Sequence, residues 1–215
     1  MEEKIKVRFR FEKTGSAAFV SHLDLMRTLG RALSRAEIPA AKTNGFNPHA
    51  YISIPCALSL GYEGTAEMAD IGLPSDFSPD LIPKRMNKVL PDGIRVSEAY
   101  VITRKAGEIA FADYDLIFEA DEEKKQAMIA ALGVKPLVVL KKSKRSEEEK
   151  DISPMILALQ ATETGIRARL TCSAVENLNP RMLINALEKV AQDLVPAHVR
   201  IRRSKFYDAE GKEFK

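Results

Sequence analysis

Only two cysteines occur among the 215 residues, Cys56 and Cys172, far apart and without a CxxC partner. That scarcity argues against a disulfide framework and against a cysteine-based zinc or iron–sulfur site, and it fits a reducing cytoplasm. Apolar runs long enough to cross a bilayer are missing, and no charged-then-apolar leader precedes a small-residue cleavage site, so no membrane partner is expected. GxGxxG, GxxxxGK[ST], GxSxG, HExxH and paired-histidine metal spacings are absent too. The phosphate-cradling loops of nucleotide-binding folds and the usual hydrolase and metalloenzyme signatures are therefore unsupported. Neither a metal nor a cofactor is expected. Charge of one sign is also scarce: the net charge is +3, too small to imply nucleic-acid binding by itself, so where the charges sit matters more.

What remains is the composition of an ordinary globular protein, 45% hydrophobic and 29% charged, long enough for one large core or two smaller ones. "KIKVRFRFEK" alternates Ile5, Val7, Phe9 and Phe11 against Lys6, Arg8 and Arg10, the period of a half-buried strand. Ser21 then fits a helix N-cap with Asp24 as the acidic half of a capping box, and Leu25, Met26, Leu29, Ala32, Leu33 and Ala36 recur at helical spacing before Pro39. "AYISIP" and "TAEMADIGL" read as strands, "SPDLIPKRMNKVLPDG" as a helix and "IRVSEAYVI" as a strand. The order strand, helix, strand, strand, helix, strand is the split βαβ, ferredoxin-like plan. From "FADYDLIFEA" onward the same plan repeats, with "KPLVVLKKSKR" as an inserted strand, "KRSEEEK" as a charged turn, and the amphipathic "NPRMLINALEKVAQDL" as the last helix before "HVRIRRSKFYD". The expected fold is α+β, two tandem ferredoxin-like modules with antiparallel sheets, covering 1–106 and 107–215, the second carrying an inserted hairpin.

Three groups of residues carry candidate chemistry. Arginines pair on the outward faces of strands: Arg8 with Arg10, Arg167 with Arg169, Arg200 with Arg202. A ferredoxin-like sheet has helices on one side only, so rows of arginine on the bare side match a phosphate backbone and suggest RNA or another anionic partner. The alternative is that these faces pack together or pair with acidic neighbours. The second group is the helix start, where His22 sits at an N-terminus whose N–H groups attract anions, followed by the basic stripe Arg27, Arg31 and Arg35. The third is "TNGFNPHAYISIP". Asn44, Gly45, Asn47 and Pro48 stiffen a loop that also presents Phe46, His49 and Tyr51. The fold puts this loop at the far end of the helix that His22 begins, about 20 Å away by helical rise, so the sequence leaves open whether His22 and His49 share a site.

"RFRFEKTG", "FVSHLDLMRTLGRAL", "IPAAKTNGFNPHAYISIPCALSLG" and "KDISPMI" together resemble a bacterial family of unknown function described as radical-SAM-linked. Its members stand alone or form the C-terminal part of a chain that begins with a radical S-adenosylmethionine enzyme. The family pattern falls on Ser21, His22, Leu23, Asp24, Arg27, Gly45, Phe46, Asn47, Pro48 and His49, and departs where Ala50 replaces a common proline. The resemblance implies association with such an enzyme. The chain lacks the CxxxCxxC cluster motif, so it is not that enzyme itself.

The leading expectation is a non-catalytic accessory module that recognises RNA or another anionic substrate for a radical SAM partner. A competing one is a metal-independent ribonuclease with His22 as general acid–base, since tandem ferredoxin-like domains are similar to CRISPR-associated RNA-processing endonucleases. Those enzymes carry a glycine-rich loop near the C-terminus, whereas "YDAEGKEFK" has one glycine. A third is a structural dimer whose open sheets pair.

Overall fold

A computed structural model describes residues 4–142 and 147–215, a mixed α+β protein with few helices and mostly antiparallel sheet. It divides into two compact units, Met1–Glu108 and Ile109–Lys215. No helix among the described residues is long and apolar enough to cross a membrane.

In the first unit, β1 (Lys4–Lys13), β2 (Ile52–Ser53), β3 (Glu63–Pro74) and β4 (Ile94–Val101) are joined by α1 (His22–Arg35) and α2 (Leu81–Met86). β1 lies between β4 and β3, β2 adds to β3, and every pairing is antiparallel. Alternation in β1 buries Val7, Phe9 and Phe11 against Leu25, Leu29 and Leu33 of α1 and Ile82 and Met86 of α2. Each such side chain contributes roughly 1.5–3 kcal/mol relative to an exposed one, so this interface anchors α1 and whatever α1 carries. The turn that delivers the chain to α1 is held by buried polar groups: Lys13 Nζ donates to Ala18 O at 2.7 Å, and Gly15 N donates to Glu63 Oε1 at 3.1 Å.

Two elements of this unit are shorter than their sequence patterns. α2 stops at Met86 because the Asn87 side chain leaves the helix and pairs with the backbone of Val96 in both directions, at 2.8 Å each. β2 keeps only Ile52 and Ser53 because Tyr51 N donates to Ala41 O instead of to β3.

The second unit repeats the order with one addition. β5 (Phe111–Ile117), α3 (Glu122–Leu132), β8 (Ile156–Thr162), β9 (Gly165–Thr171), α4 (Arg181–Val190) and β10 (Arg200–Tyr207) give an antiparallel sheet in which β10, β5, β9 and β8 are neighbours in that order. Between α3 and β8, β6 (Val138–Lys142) and β7 (Glu147–Asp151) form a separate hairpin. Glu147–Asp151 is thus strand, where the charged run reads as turn; residues 143–146 of that run lie outside the described residues. The charges do not oppose a strand here because they face outward into ion pairs, Lys150 with Glu176 at 2.8 Å and Glu149 with Lys189 at 3.4 Å. The apolar partners Leu137, Val139 and Ile152 are buried.

Candidate functional site

α1 begins with Ser21, whose Oγ accepts from Asp24 N at 3.2 Å and donates to Asp24 Oδ2 at 2.7 Å. Asp24 Oδ1 in turn accepts from Arg27 at 3.1 Å. The Ser21 hydroxyl first, and Arg27 second, hold the Asp24 carboxyl below the usual carboxylate range. Ser21 thus caps the helix, Asp24 braces that hydroxyl and steers Arg27 along the helix surface, and Arg31 Nε continues the row by donating to Arg27 O at 3.3 Å.

The loop after α1 does not stay at the helix end. Glu37 takes a positive φ of 53° and reverses the chain, and Ala41 N then donates to Gly72 O at 2.8 Å. A β-carbon on Gly72 would stand 3.1 Å from the Ala41 methyl, a tight contact that the neighbour would have to relieve by a few tenths of an ångström. Lys42 bridges to Ala50, and Thr43 N donates to His49 O at 2.8 Å, closing a small hairpin whose tip is 44–48. Gly45 supplies the left-handed φ of 125° at that tip, and Phe46 beside it is fully exposed.

His49 is oriented from within this hairpin. Its Nδ1 lies 3.2 Å from Asn47 O and 3.2 Å from Thr43 Oγ1. A carbonyl oxygen only accepts, so Nδ1 carries the proton and Nε2 is left for other work. The Thr43 hydroxyl also accepts from His49 N at 3.2 Å, fixing ring and backbone together.

The hairpin and α1 enclose one cavity of about 820 Å³. α1 contributes His22, Leu23, Met26, Arg27, Gly30 and Arg31, and the other side contributes Thr43, His49, Ala50, Tyr51 and Ile52; of these Met26, Gly30 and Ile52 are less exposed than the histidines and arginines and form the floor. On the helix these are two stripes at i, i+4 and i+8: His22, Met26, Gly30 and Leu23, Arg27, Arg31. The distance expected between the two histidines along the helix is overcome because the hairpin folds back beside α1. His22 and His49 thus line one cavity. The floor is apolar, the walls carry two histidines and two arginines, and Leu23 and Tyr51 are each 58% exposed at its mouth. Arg35, the third of the basic stripe, lies outside it, in a smaller depression with Thr28, Arg31 and Pro91.

The strand arginines are arranged otherwise than expected. Arg8 is 1% exposed and grips Asp70, its directly opposite residue on β3, through Nε at 2.7 Å and a second nitrogen at 2.8 Å. It is not displayed on a bare sheet face. Arg10 faces Glu98 at 3.1 Å, Arg167 faces Asp115 at 2.6 Å, and Arg169 faces Asp113 at 2.8 Å, each across one strand register. Arg169 also lies 3.7 Å above the Tyr207 ring, and the Tyr207 hydroxyl donates to Asp113 at 2.7 Å. Burial first, then Asp113, pushes that hydroxyl up to about 12. These guanidinium groups each have a carboxylate already, which is the acidic-neighbour alternative rather than a free phosphate track. Of the third row, Arg200 is exposed and Arg202 half-buried.

A second hollow, about 1120 Å³, opens in the second unit between Glu119, Asp121, Glu163, His198 and Arg200. Its three carboxylates outnumber its cations. Among the described residues no group of His, Cys, Asp and Glu has the arrangement of a metal site. Met26 and Gly30 escaped the sequence reading as site residues, Met26 because it reads as core. Gly30 has a local signal: glycine inside a helix costs about 1 kcal/mol against alanine, which calls for a reason.

The bacterial family described as "Uncharacterized protein conserved in bacteria (DUF2344)" matches residues 6–180, a span that includes both walls of the cavity. The chain belongs to this family. Among curated proteins none matches it.

Proposed function

We propose that this DUF2344 protein is a non-catalytic binding module, accessory to a radical SAM enzyme, that takes RNA at the His22–His49 cavity rather than on its sheet arginines. One observation carries the reading: His22, Leu23, Met26 and Arg27 of "SHLDLMR" and His49, Ala50 and Tyr51 of "NGFNPHAY" line the same cavity, with Arg31 beside Arg27 on the helix side. Arg27 and Arg31 present cations to phosphate oxygens, and His22 and His49 stand in the same cavity beside them. The surface pair of Arg27 with Asp24 is exposed on both sides, so it is worth little and yields readily to a phosphate. The radical SAM link rests on resemblance. The strand neighbours in each unit support a tandem ferredoxin-like arrangement with β6–β7 as the insertion.

Filter binding of tRNA and rRNA fragments in low salt tests the proposal. Salt-sensitive retention that falls in the double variant Arg27→Ala/Arg31→Ala supports it, and no retention in low salt counts against it.

One feature favours a second reading, a metal-independent ribonuclease: two imidazoles line one cavity. In that chemistry one imidazole takes the proton of a ribose 2′-hydroxyl as its oxygen bonds to phosphorus, while the other gives a proton to the departing 5′-oxygen, leaving a 2′,3′-cyclic phosphate and a 5′-hydroxyl. His49, whose Nδ1 is turned to the Asn47 carbonyl, keeps Nε2 for the first role. Cleavage in EDTA that is lost in His22→Ala and in His49→Ala selects this reading; binding without cleavage selects the module.

A further inference from the structure

Resting on the RNA reading above, we infer that the cavity takes an unpaired nucleotide, with its base on the apolar floor and a neighbouring base stacked on Phe46. Double-stranded RNA shows a protein mostly phosphates and sugar hydroxyls, and a site for it needs only cations and hydrogen-bond donors. Here the cations are confined to the walls. The floor between them is Met26, Ile52 and Gly30, whose missing side chain leaves room, with Ile52 Cδ1 the nearest atom at 3.9 Å from a β-carbon built there. A phosphate gains nothing from such a floor, whereas a base carries an apolar face that does. The volume, about 820 Å³, lies within the range of sites that engulf ligands of that size.

Phe46 adds an independent observation. It stands 106% exposed at the tip of a hairpin closed by the Lys42–Ala50 bridge and the Thr43–His49 hydrogen bonds, so water surrounds an aromatic ring held on a stiff support. Tyr51, on the returning strand of the same hairpin, is 58% exposed at the cavity mouth. Tyr51 lines the same cavity as Arg27 and Arg31, and Phe46 stands at the tip of the hairpin that forms its other side, so stacking platforms and backbone cations occur together, the combination that holds single strands. Neither ring is of use to a duplex, whose bases are already stacked.

The test is fluorescence anisotropy of the full chain with a fluorescein-labelled dodecamer RNA of mixed sequence, alone and annealed to its complement, in 50 mM salt. The single strand is expected to bind at least tenfold tighter than the duplex, and Phe46→Ala to weaken the single strand about tenfold while leaving the duplex unchanged. Since Phe46 contributes nothing to the core, an unaltered circular dichroism melt accompanies the loss. Equal binding of both forms, or a Phe46→Ala variant that binds as well as wild type, overturns the inference and leaves the RNA reading standing. No binding of either form overturns both. Displacement of the single strand by an acidic peptide at matched charge also overturns it, because charge alone would then suffice.

Discussion

The two units place a capped helix after their first strand and a hollow beside it, yet the hollows have opposite character. α1 starts at Ser21 and turns His22, Arg27 and Arg31 into its cavity over a floor of apolar side chains. α3 starts at Asp121, which accepts from Lys124 N at 2.7 Å, and its first turn carries Glu122 and Glu123. The hollow beside it sets Glu119, Asp121 and Glu163 against His198 and Arg200. The two hollows use different connections of the shared element order: the first lies between α1 and the hairpin that follows it, the second among the β5–α3 junction, the β8–β9 turn and the segment before β10, and the side chains of each set its charge. Under the proposed function an anion is expected in the first hollow and not in the second, although the second is the larger.

The widest gap between the units is expected in stability. Arg8→Ala removes the buried partner of Asp70, whose carboxylate is partly exposed, so urea denaturation should report a loss of about 3 kcal/mol, the lower end of the range for breaking a buried pair. Arg167→Ala removes a pair whose arginine is 44% exposed, and after discounting for solvent its cost should stay below about 1 kcal/mol. Equal losses would mean that the sheet arginines of the two units are held alike. Next comes occlusion of the first cavity. Gly30→Leu is expected to lower RNA affinity at least tenfold in filter binding without lowering the melting temperature, since leucine is the better helix former. A smaller effect is expected on the salt dependence. Each of Arg27→Ala and Arg31→Ala should reduce the slope of log affinity against log salt by about 1, and Arg200→Ala in the second hollow should leave it unchanged.

The slightest expected change concerns acid. Asp24 has a depressed folded-state pKa, so its contribution is present above the unfolded value and lost as pH falls through the folded one. Ser21→Ala removes the largest cause of the depression. The Asp24 carboxyl carbon, followed by NMR through an acid titration, should then titrate at higher pH, closer to an ordinary aspartate. Asp151 in the second unit, held down chiefly by Ser153, should not move in that variant.

Local periodicity made much of this legible. The alternation of β1 and the 3.6 spacing of α1 come from one buried face each, and Ser21 marks the helix start by a hydrogen bond three residues long. Long-range partners were not legible. The bond from Ala41 to Gly72 that folds the hairpin beside α1 joins residues with no shared pattern, and without it His22 and His49 belong to opposite ends of a helix. Likewise β1 alternation puts Arg8 on the polar face correctly, but only the β3 register reveals Asp70 opposite it and turns an apparent display into a buried pair. Charged β7 escaped because its stabilising partners, Glu176 and Lys189, lie far along the chain.

The chain's three histidines, His22, His49 and His198, report on both hollows at once. Titrating the labelled protein with uridine monophosphate while following the imidazole Cε1–H signals is the most direct measurement. His22 and His49 should shift together along one binding curve while His198 stays still. Independent curves for His22 and His49, or a shift confined to His198, would contradict a single anion site in the first unit.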